Sequence, residues 1–263
     1  MNMLICMLIL VACGSDDSND VNPDENVIDQ EPFTEALEEK GISYGPESRQ
    51  FLDLYKPASE CPTPIYFDAH PNGGDTELPS SLIESLNGLG ITIIAWESLT
   101  SINTPDDLNT GWADAELMFQ WVLDNSQTYN LDTTNIVIGG SSRGSILSWR
   151  YGHRVNPNIK GLYMYNALPA GVWEDPESWI PTEDVQPDSP PVSFVYRREP
   201  GCSTDPIDPD IHDPDFGFAI VEAYEDLNIG DRTSLVHSIG ETDNTDRFQF
   251  LEDFAISVLE LCE

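Results

Sequence analysis

The chain has 263 residues, 40% of them apolar and 10% aromatic, which is enough for one sizeable α/β domain and too apolar for a disordered chain. Against 47 Asp and Glu stand 11 Lys and Arg, so the formal charge is 11 − 47 = −36; such a surface repels phosphate backbones and excludes nucleic acid as a partner. The same charge suits a saline medium, where screening weakens self-repulsion.

Residues 1–12 are almost wholly apolar but too short to span a bilayer as a helix, and they read as a secretory signal. The segment ends Leu10-Val11-Ala12-Cys13, which resembles the lipobox of bacterial lipoproteins. That resemblance implies cleavage before Cys13, lipidation of Cys13 and a membrane anchor. Residues 13–31 are polar and acidic and predict a flexible tether. Cysteine followed closely by Ser15-Asp16-Asp17 resembles the signal that sends some lipoproteins to the outer-membrane surface. The expectation is a cell-envelope protein, lipid-anchored in the outer membrane and surface-exposed, with its folded domain over 32–263.

Within that domain, 32–40 predicts a short helix and 43–57 a hairpin, with alternating residues 50–55 as an edge strand stopped by Pro57. Residues 64–69 predict a strand running into His70-Pro71-Asn72-Gly73-Gly74. Helical spacing over 79–89 stops at Gly90, and 91–96 is a continuous apolar strand of the kind buried inside a parallel sheet. A loop is predicted over 97–110, then a long amphipathic helix over 112–129. Residues 135–138 predict a strand, 145–153 a helix and 160–166 a strand. The stretch 168–190, rich in Trp, Pro and acid, predicts an irregular loop in which Trp173 and Trp179 form either a sugar or acyl platform or simple packing. A strand over 192–196, a Pro/Asp-rich loop over 199–216, a helix over 218–227, a strand over 233–236 and a closing helix over 248–261 complete the chain. Strands alternating with helices imply an α/β fold with a mainly parallel sheet covered on both faces.

Between the 135–138 strand and the next helix lies Gly140-Ser141-Ser142-Arg143-Gly144, a G-x-S-x-G pattern. A serine on so sharp a strand-to-helix turn is held in a strained conformation with its hydroxyl exposed above the sheet, beside helix N-terminal amides. That setting suits a nucleophile that forms an acyl intermediate.

Three stretches together resemble the α/β-hydrolase superfamily, in particular its carboxylesterase and feruloyl/acetyl-esterase-like branch. They are QFLDLYKP (50–57), PIYFDAHPNGG (64–74) and NIVIGGSSRGS (135–145). The resemblance covers 43–262 and implies the α/β-hydrolase fold and serine-dependent hydrolysis of carboxylic esters. It makes Ser142 the nucleophile and the backbone N–H of Arg143 one oxyanion donor. Gly73 or Gly74 supplies the other, and His70 fixes the loop. The superfamily order of Ser, acid, His places His237 as base, with Glu199, Asp205 or Asp213 as the acid and Glu199 foremost. His212 falls in the preceding loop, nearer where the acid belongs. Anchoring outside the cell suggests acyl groups on polysaccharides as substrates. The alternative is a catalytically incomplete member acting as a surface binding or scaffold protein, because the loop 239–244, where the superfamily keeps its histidine, has none.

No cofactor motif is read, and the isolated cysteines exclude a zinc pattern. The acidic run 205–215 is dense in oxygen ligands that calcium could use, but without EF-hand spacing it reads as a solvated loop. With Cys6 removed and Cys13 lipidated, one disulfide among Cys61, Cys202 and Cys262 is expected, Cys202–Cys262 being the first choice.

Overall fold

The structure is a computed structural model; it describes residues 32–156, 158–168, 180–207, 210–240 and 244–262. The signal, the Cys13 anchor, the tether, and Trp173 and Trp179 lie outside the described residues. Within the described domain one eight-stranded sheet runs in the order β1-β2-β4-β3-β5-β6-β7-β8. Its strands are β1 (Leu37–Ser43), β2 (Phe51–Lys56), β3 (Thr63–Ala69), β4 (Thr92–Trp96), β5 (Leu131–Ser141), β6 (Gly161–Tyr165), β7 (Val192–Val195) and β8 (Thr233–Val236). β2 is antiparallel to both β1 and β4, and every pairing from β4 through β8 is parallel.

Both faces of the sheet are buried, which is why the inner strands read as unbroken apolar runs. Phe67, Ile136 and Ile138 point into one core, shared with α2 (Pro105–Tyr129), α3 (Arg143–Arg150) and α4 (Pro214–Asp226). Tyr66 and Val137, one residue along, point into the other, shared with α1 (Ser80–Gly88) and α5 (Asn244–Val258). Among the described residues no helix is long and apolar enough to cross a membrane.

Four local expectations are corrected. The 32–40 region holds no helix: Leu37–Ser43 is the outermost strand. Charged Glu38, Glu39 and Lys40 and a register shift between Glu39 and Ile42, at Gly41 with φ +68°, blunt that exposed edge. The β2 strand, expected at the edge, is therefore interior and almost wholly buried. Helix α2 begins seven residues before the expected position 112. Thr104 and Asp107 form a reciprocal capping box and Pro105 occupies the first turn, so polar residues that read as loop in fact start the helix. Helix α4 likewise begins at Pro214, capped by Asp213.

The disulfide joins Cys61 to Cys262, with Cα atoms 6.5 Å apart, and Cys202 is a free thiol. The expected Cys202–Cys262 pairing fails on topology. The chain end is tied to the start of the parallel strands, where Asn135 Nδ2 donates to Glu260 O at 2.7 Å and Glu260 N donates to Asn135 Oδ1 at 3.1 Å. Cys61 lies at that same edge, its carbonyl accepting from Asn130 Nδ2 at 3.0 Å, whereas Cys202 follows the C-terminal end of β7, across the sheet.

Candidate active site

Strand β5 delivers Ser142 to the C-terminal edge of the sheet. The turn into α3 is so tight that a Cβ on Gly140 would overlap the backbone of Gly144, and one on Gly144 would overlap the Ala69 carbonyl. The flanking glycines thus let α3 pack directly on β5 and β3. Ser142 itself sits at φ 51°, ψ −117°, a conformation that costs on the order of 1–3 kcal/mol for a non-glycine residue. It persists because its surroundings fix it. Ser142 N donates to Tyr165 O at 3.0 Å, and Ser145 N and Oγ both donate to Ser142 O, at 2.9 and 2.5 Å.

The ring that reaches the hydroxyl is His212, with Nε2 3.0 Å from Ser142 Oγ. His212 Nδ1 lies 2.8 Å from Asp210 Oδ1, which also accepts the His212 backbone N–H at 2.8 Å. Asp210 Oδ2 accepts from Arg198 Nε at 2.8 Å. Burial pushes the Asp210 carboxyl pKa up, but its bonds from the His212 backbone, Arg198 and the His212 ring outweigh this and hold it below the ordinary carboxylate value. With Nδ1–H directed at a carboxylate, Nε2 is left as the acceptor for the serine proton.

This acid and this base, two residues apart, ride on one loop between β7 and α4. Asp213 anchors the loop. It is fully buried and accepts the backbone N–H groups of Gly201 at 2.9 Å, Ser203 at 2.7 Å and Asp215 at 3.0 Å. Burial alone would raise its pKa, but the hydrogen bonds from Asp215, Ser203 and Gly201 more than offset it and hold the carboxyl below its ordinary value. Asp205, meanwhile, caps its own turn through Ile207 N. Among the described residues no His, Cys, Asp and Glu cluster is arranged to hold a metal ion.

The residues expected as base and acid are elsewhere engaged. His237 Nδ1 bonds Ser238 Oγ at 2.7 Å and lies 3.7 Å from Glu199 Oε2, whose side chain is 76% exposed. The hydroxyl of Ser142 bonds to His212, not His237, and the carboxylate on that histidine is Asp210, not Glu199, Asp205 or Asp213. The sequence signal was the compact Asp210-Ile211-His212 followed by the Asp213-Pro214 helix start. The superfamily order, which looks for the histidine after the last strand, passes over it.

The oxyanion expectation is half corrected. Gly73 N donates to Thr100 O at 2.8 Å and Gly74 N to Pro71 O at 3.0 Å, so both glycine amides are occupied in shaping the loop. The Asn72 amide makes no hydrogen bond among the described residues, and Asn72 lines the cleft above Ser142. Its side chain clamps the Ile102 backbone in both directions, Nδ2 donating to O at 3.2 Å and Oδ1 accepting from N at 3.0 Å. The Arg143 amide belongs to the first turn of α3 and has no partner within the helix. The Arg143 side chain, not foreseen, lies buried beneath the loop, donating to the His70 and Leu99 carbonyls; burial lowers its pKa to about 10. His70 is held between Arg143 and Glu97 (Nε2 to Oε1, 2.8 Å), the loop-fixing place expected of it.

The cleft over Ser142 has a volume near 590 Å³. Solved structures share this architecture. The chain superposes on Thermogutta terrifontis esterase 2 phosphorylated by paraoxon with TM-score 0.63 and 16% identity, covering 87% of this chain and 96% of that one. The fold is that of the α/β hydrolases. A truncated carbohydrate esterase from gut microbiota matches with TM-score 0.61, 16% identity and coverages of 86% and 98%. MGS-M1, an α/β hydrolase enzyme from a Medee basin deep-sea metagenome library, matches with TM-score 0.63, 15% identity and coverages of 86% and 99%. No family model and no curated protein sequence matches the chain.

Proposed function

We propose that this chain is a serine-dependent carboxylic ester hydrolase with Ser142 as nucleophile, His212 as general base and Asp210 as the acid that orients it. The observation that carries the reading is the continuous chain Ser142 Oγ–His212 Nε2 (3.0 Å) and His212 Nδ1–Asp210 Oδ1 (2.8 Å). A binding or scaffold protein has no need of these distances, and the missing histidine that suggested one is supplied by His212.

In the first step Ser142 Oγ attacks the ester carbonyl carbon while His212 Nε2 takes the hydroxyl proton. The carbonyl oxygen becomes an oxyanion held by the Asn72 and Arg143 amides, two donors in place before charge develops; losing one such donor costs about 10²–10³ in rate. Collapse breaks the C–O bond to the alcohol, which leaves with the proton from His212. Water then attacks the acyl-serine, gives its proton to His212, and releases the acid and free Ser142.

The finer reading is a lipoprotein, anchored through Cys13 at the outer-membrane surface, that deacylates polysaccharide-linked esters. Its support is the lipobox-like Leu10-Val11-Ala12-Cys13 and the acidic tether; the carbohydrate esterase among the structural neighbours agrees with it.

The test is labelling of the purified domain, 27–263, with a fluorophosphonate probe beside Ser142→Ala and His212→Ala. Labelling of the wild type but neither variant supports the reading. A folded wild type that neither labels nor hydrolyses phenyl acetate refutes it. Mass spectrometry of the membrane-extracted protein for a diacylglyceryl Cys13 tests the anchor separately.

A further inference from the structure

Beside the cleft over Ser142 lies a second, smaller cavity near 180 Å³, which adjoins it along Pro71, Ser141, Tyr165 and Arg247. Asp68 of β3 and Arg247 of α5 face each other across this cavity. Both are held in place. Tyr66 Oη donates to Asp68 Oδ1 at 3.0 Å, and Tyr163 Oη donates to Arg247 O at 2.5 Å. The guanidinium lies against the rings of Tyr165 and Phe248, with Cζ 4.8 and 4.5 Å from their centroids. It donates no hydrogen bond among the described residues, its buried Nε included, and Asp68 Oδ2 accepts none. Burial raises the Asp68 pKa, and the Tyr66 bond and the charge of Arg247 pull it back only in part. Two opposite charges thus stand apart with hydrogen-bonding capacity unused, which is costly in a partly buried place.

We infer that this cavity is a sugar subsite: a glycosyl ring of the ester substrate sits between Asp68 and Arg247, its hydroxyls donating to the carboxylate and accepting from the guanidinium. This inference rests on the ester-hydrolase reading and places the carbohydrate part of its substrate. The argument runs by charge. An anionic ligand meets Asp68, with Asp75 and Glu77 on the same lining, and an ammonium meets Arg247. An apolar group leaves both charges unpaired. A hydroxyl is donor and acceptor at once, so neighbouring hydroxyls on one neutral ring satisfy both ends. Leu78, Pro79 and Leu82 offer apolar surface to the C–H face of such a ring. Tyr165 lines both spaces, and its carbonyl accepts the Ser142 N–H, which ties the cavity to the nucleophile.

The experiment compares kcat/KM on pairs that share ring size and ester but differ in hydroxyls. Methyl 6-O-acetyl-α-D-glucopyranoside is set against cyclohexylmethyl acetate, and methyl 3-O-acetyl-β-D-xylopyranoside against cyclohexyl acetate. The wild type is expected to favour the sugar ester of at least one pair by about tenfold or more, as one hydrogen bond to a charged group would give. In the double variant Asp68→Asn, Arg247→Met, shown folded by circular dichroism, that ratio is expected to fall to near one. A wild-type ratio below tenfold on both pairs overturns the inference, and this needs no variant to fold. An unchanged ratio in the folded double variant also overturns it. Turnover of the cyclohexyl esters without preference for the sugars sinks this inference alone, whereas failure to hydrolyse any of the four, together with no fluorophosphonate labelling, sinks the esterase reading itself.

Discussion

Replacing Asp210 by Asn removes one charge and turns one of two acceptor oxygens into a donor. In the native loop Oδ1 takes both the His212 ring N–H and the His212 backbone N–H, and Oδ2 takes Arg198 Nε–H. An asparagine can satisfy one side at a time. With its oxygen toward His212, its NH2 group opposes Arg198 donor to donor, and the imidazolium formed during attack loses its counter-charge. With its NH2 toward His212, Nδ1 must become the acceptor; the proton then moves to Nε2, which can no longer accept from Ser142. The first orientation weakens the base and the second disables it. The expected loss in kcat is about 10²–10⁴, or roughly 2.7–5.4 kcal/mol of transition-state stabilisation, with KM little changed. Phenyl acetate hydrolysis from pH 5 to 9 measures it, with fluorophosphonate labelling as a second readout. Arg198→Met should act in the same direction and more weakly, since it releases Asp210 without uncharging it. A folded Asp210→Asn protein within fivefold of the wild type would refute the assignment of Asp210 as the orienting acid.

Three further outcomes follow from the same geometry. His237→Gln should leave kcat/KM within about threefold of wild type while His212→Gln lowers it by about 10² or more, as loss of a general base does; the reverse pattern would restore the superfamily order. Replacing Cys61 and Cys262 by Ser opens a loop spanning 201 residues and should lower unfolding free energy by about 2–4 kcal/mol in urea titration, without touching labelling of Ser142. Burial drives the His153 pKa down to about 4, with the ring stacked on Trp149 at 3.7 Å. The unfolded chain therefore takes a proton near pH 6.5 that the folded chain refuses until about pH 4. This contribution is complete above about pH 7 and is lost as pH falls from 6.5 toward 4. At full burial it is worth on the order of 3 kcal/mol, and residual exposure of the ring reduces it to about 2. Urea midpoints at pH 7.5 and 5.0 should therefore converge in His153→Phe relative to wild type; an unchanged difference would rule out this origin.

Local patterns in the sequence carried the strands of the parallel sheet, the strand-turn-helix around Ser142 and the loop-fixing place of His70. Each is a short-range consequence of apolar runs, glycine spacing and turn chemistry, so each is legible without the rest of the chain. The helix starts at Thr104 and Asp213 and the outer strand 37–43 were less legible, because capping side chains and edge-strand charges look like loop or helix until their partners are known. The approach of His212 and Asp210 to Ser142, the engagement of the Gly73 and Gly74 amides and the Cys61–Cys262 disulfide were decided by tertiary structure alone. His212 and His237 are both polar loop histidines after β7. What separates them is that Asp213, by gathering the amides of Gly201, Ser203 and Asp215, folds the 199–213 loop back over the sheet so that His212 comes within 3.0 Å of Ser142. Gly73 and Gly74 look like ideal donors in the sequence, but the fold engages both amides, one on Thr100 O and the other on Pro71 O. Composition and spacing thus set the scaffold and the strained Ser142 turn, while contacts between residues distant in the chain brought His212 and Asp210 to it.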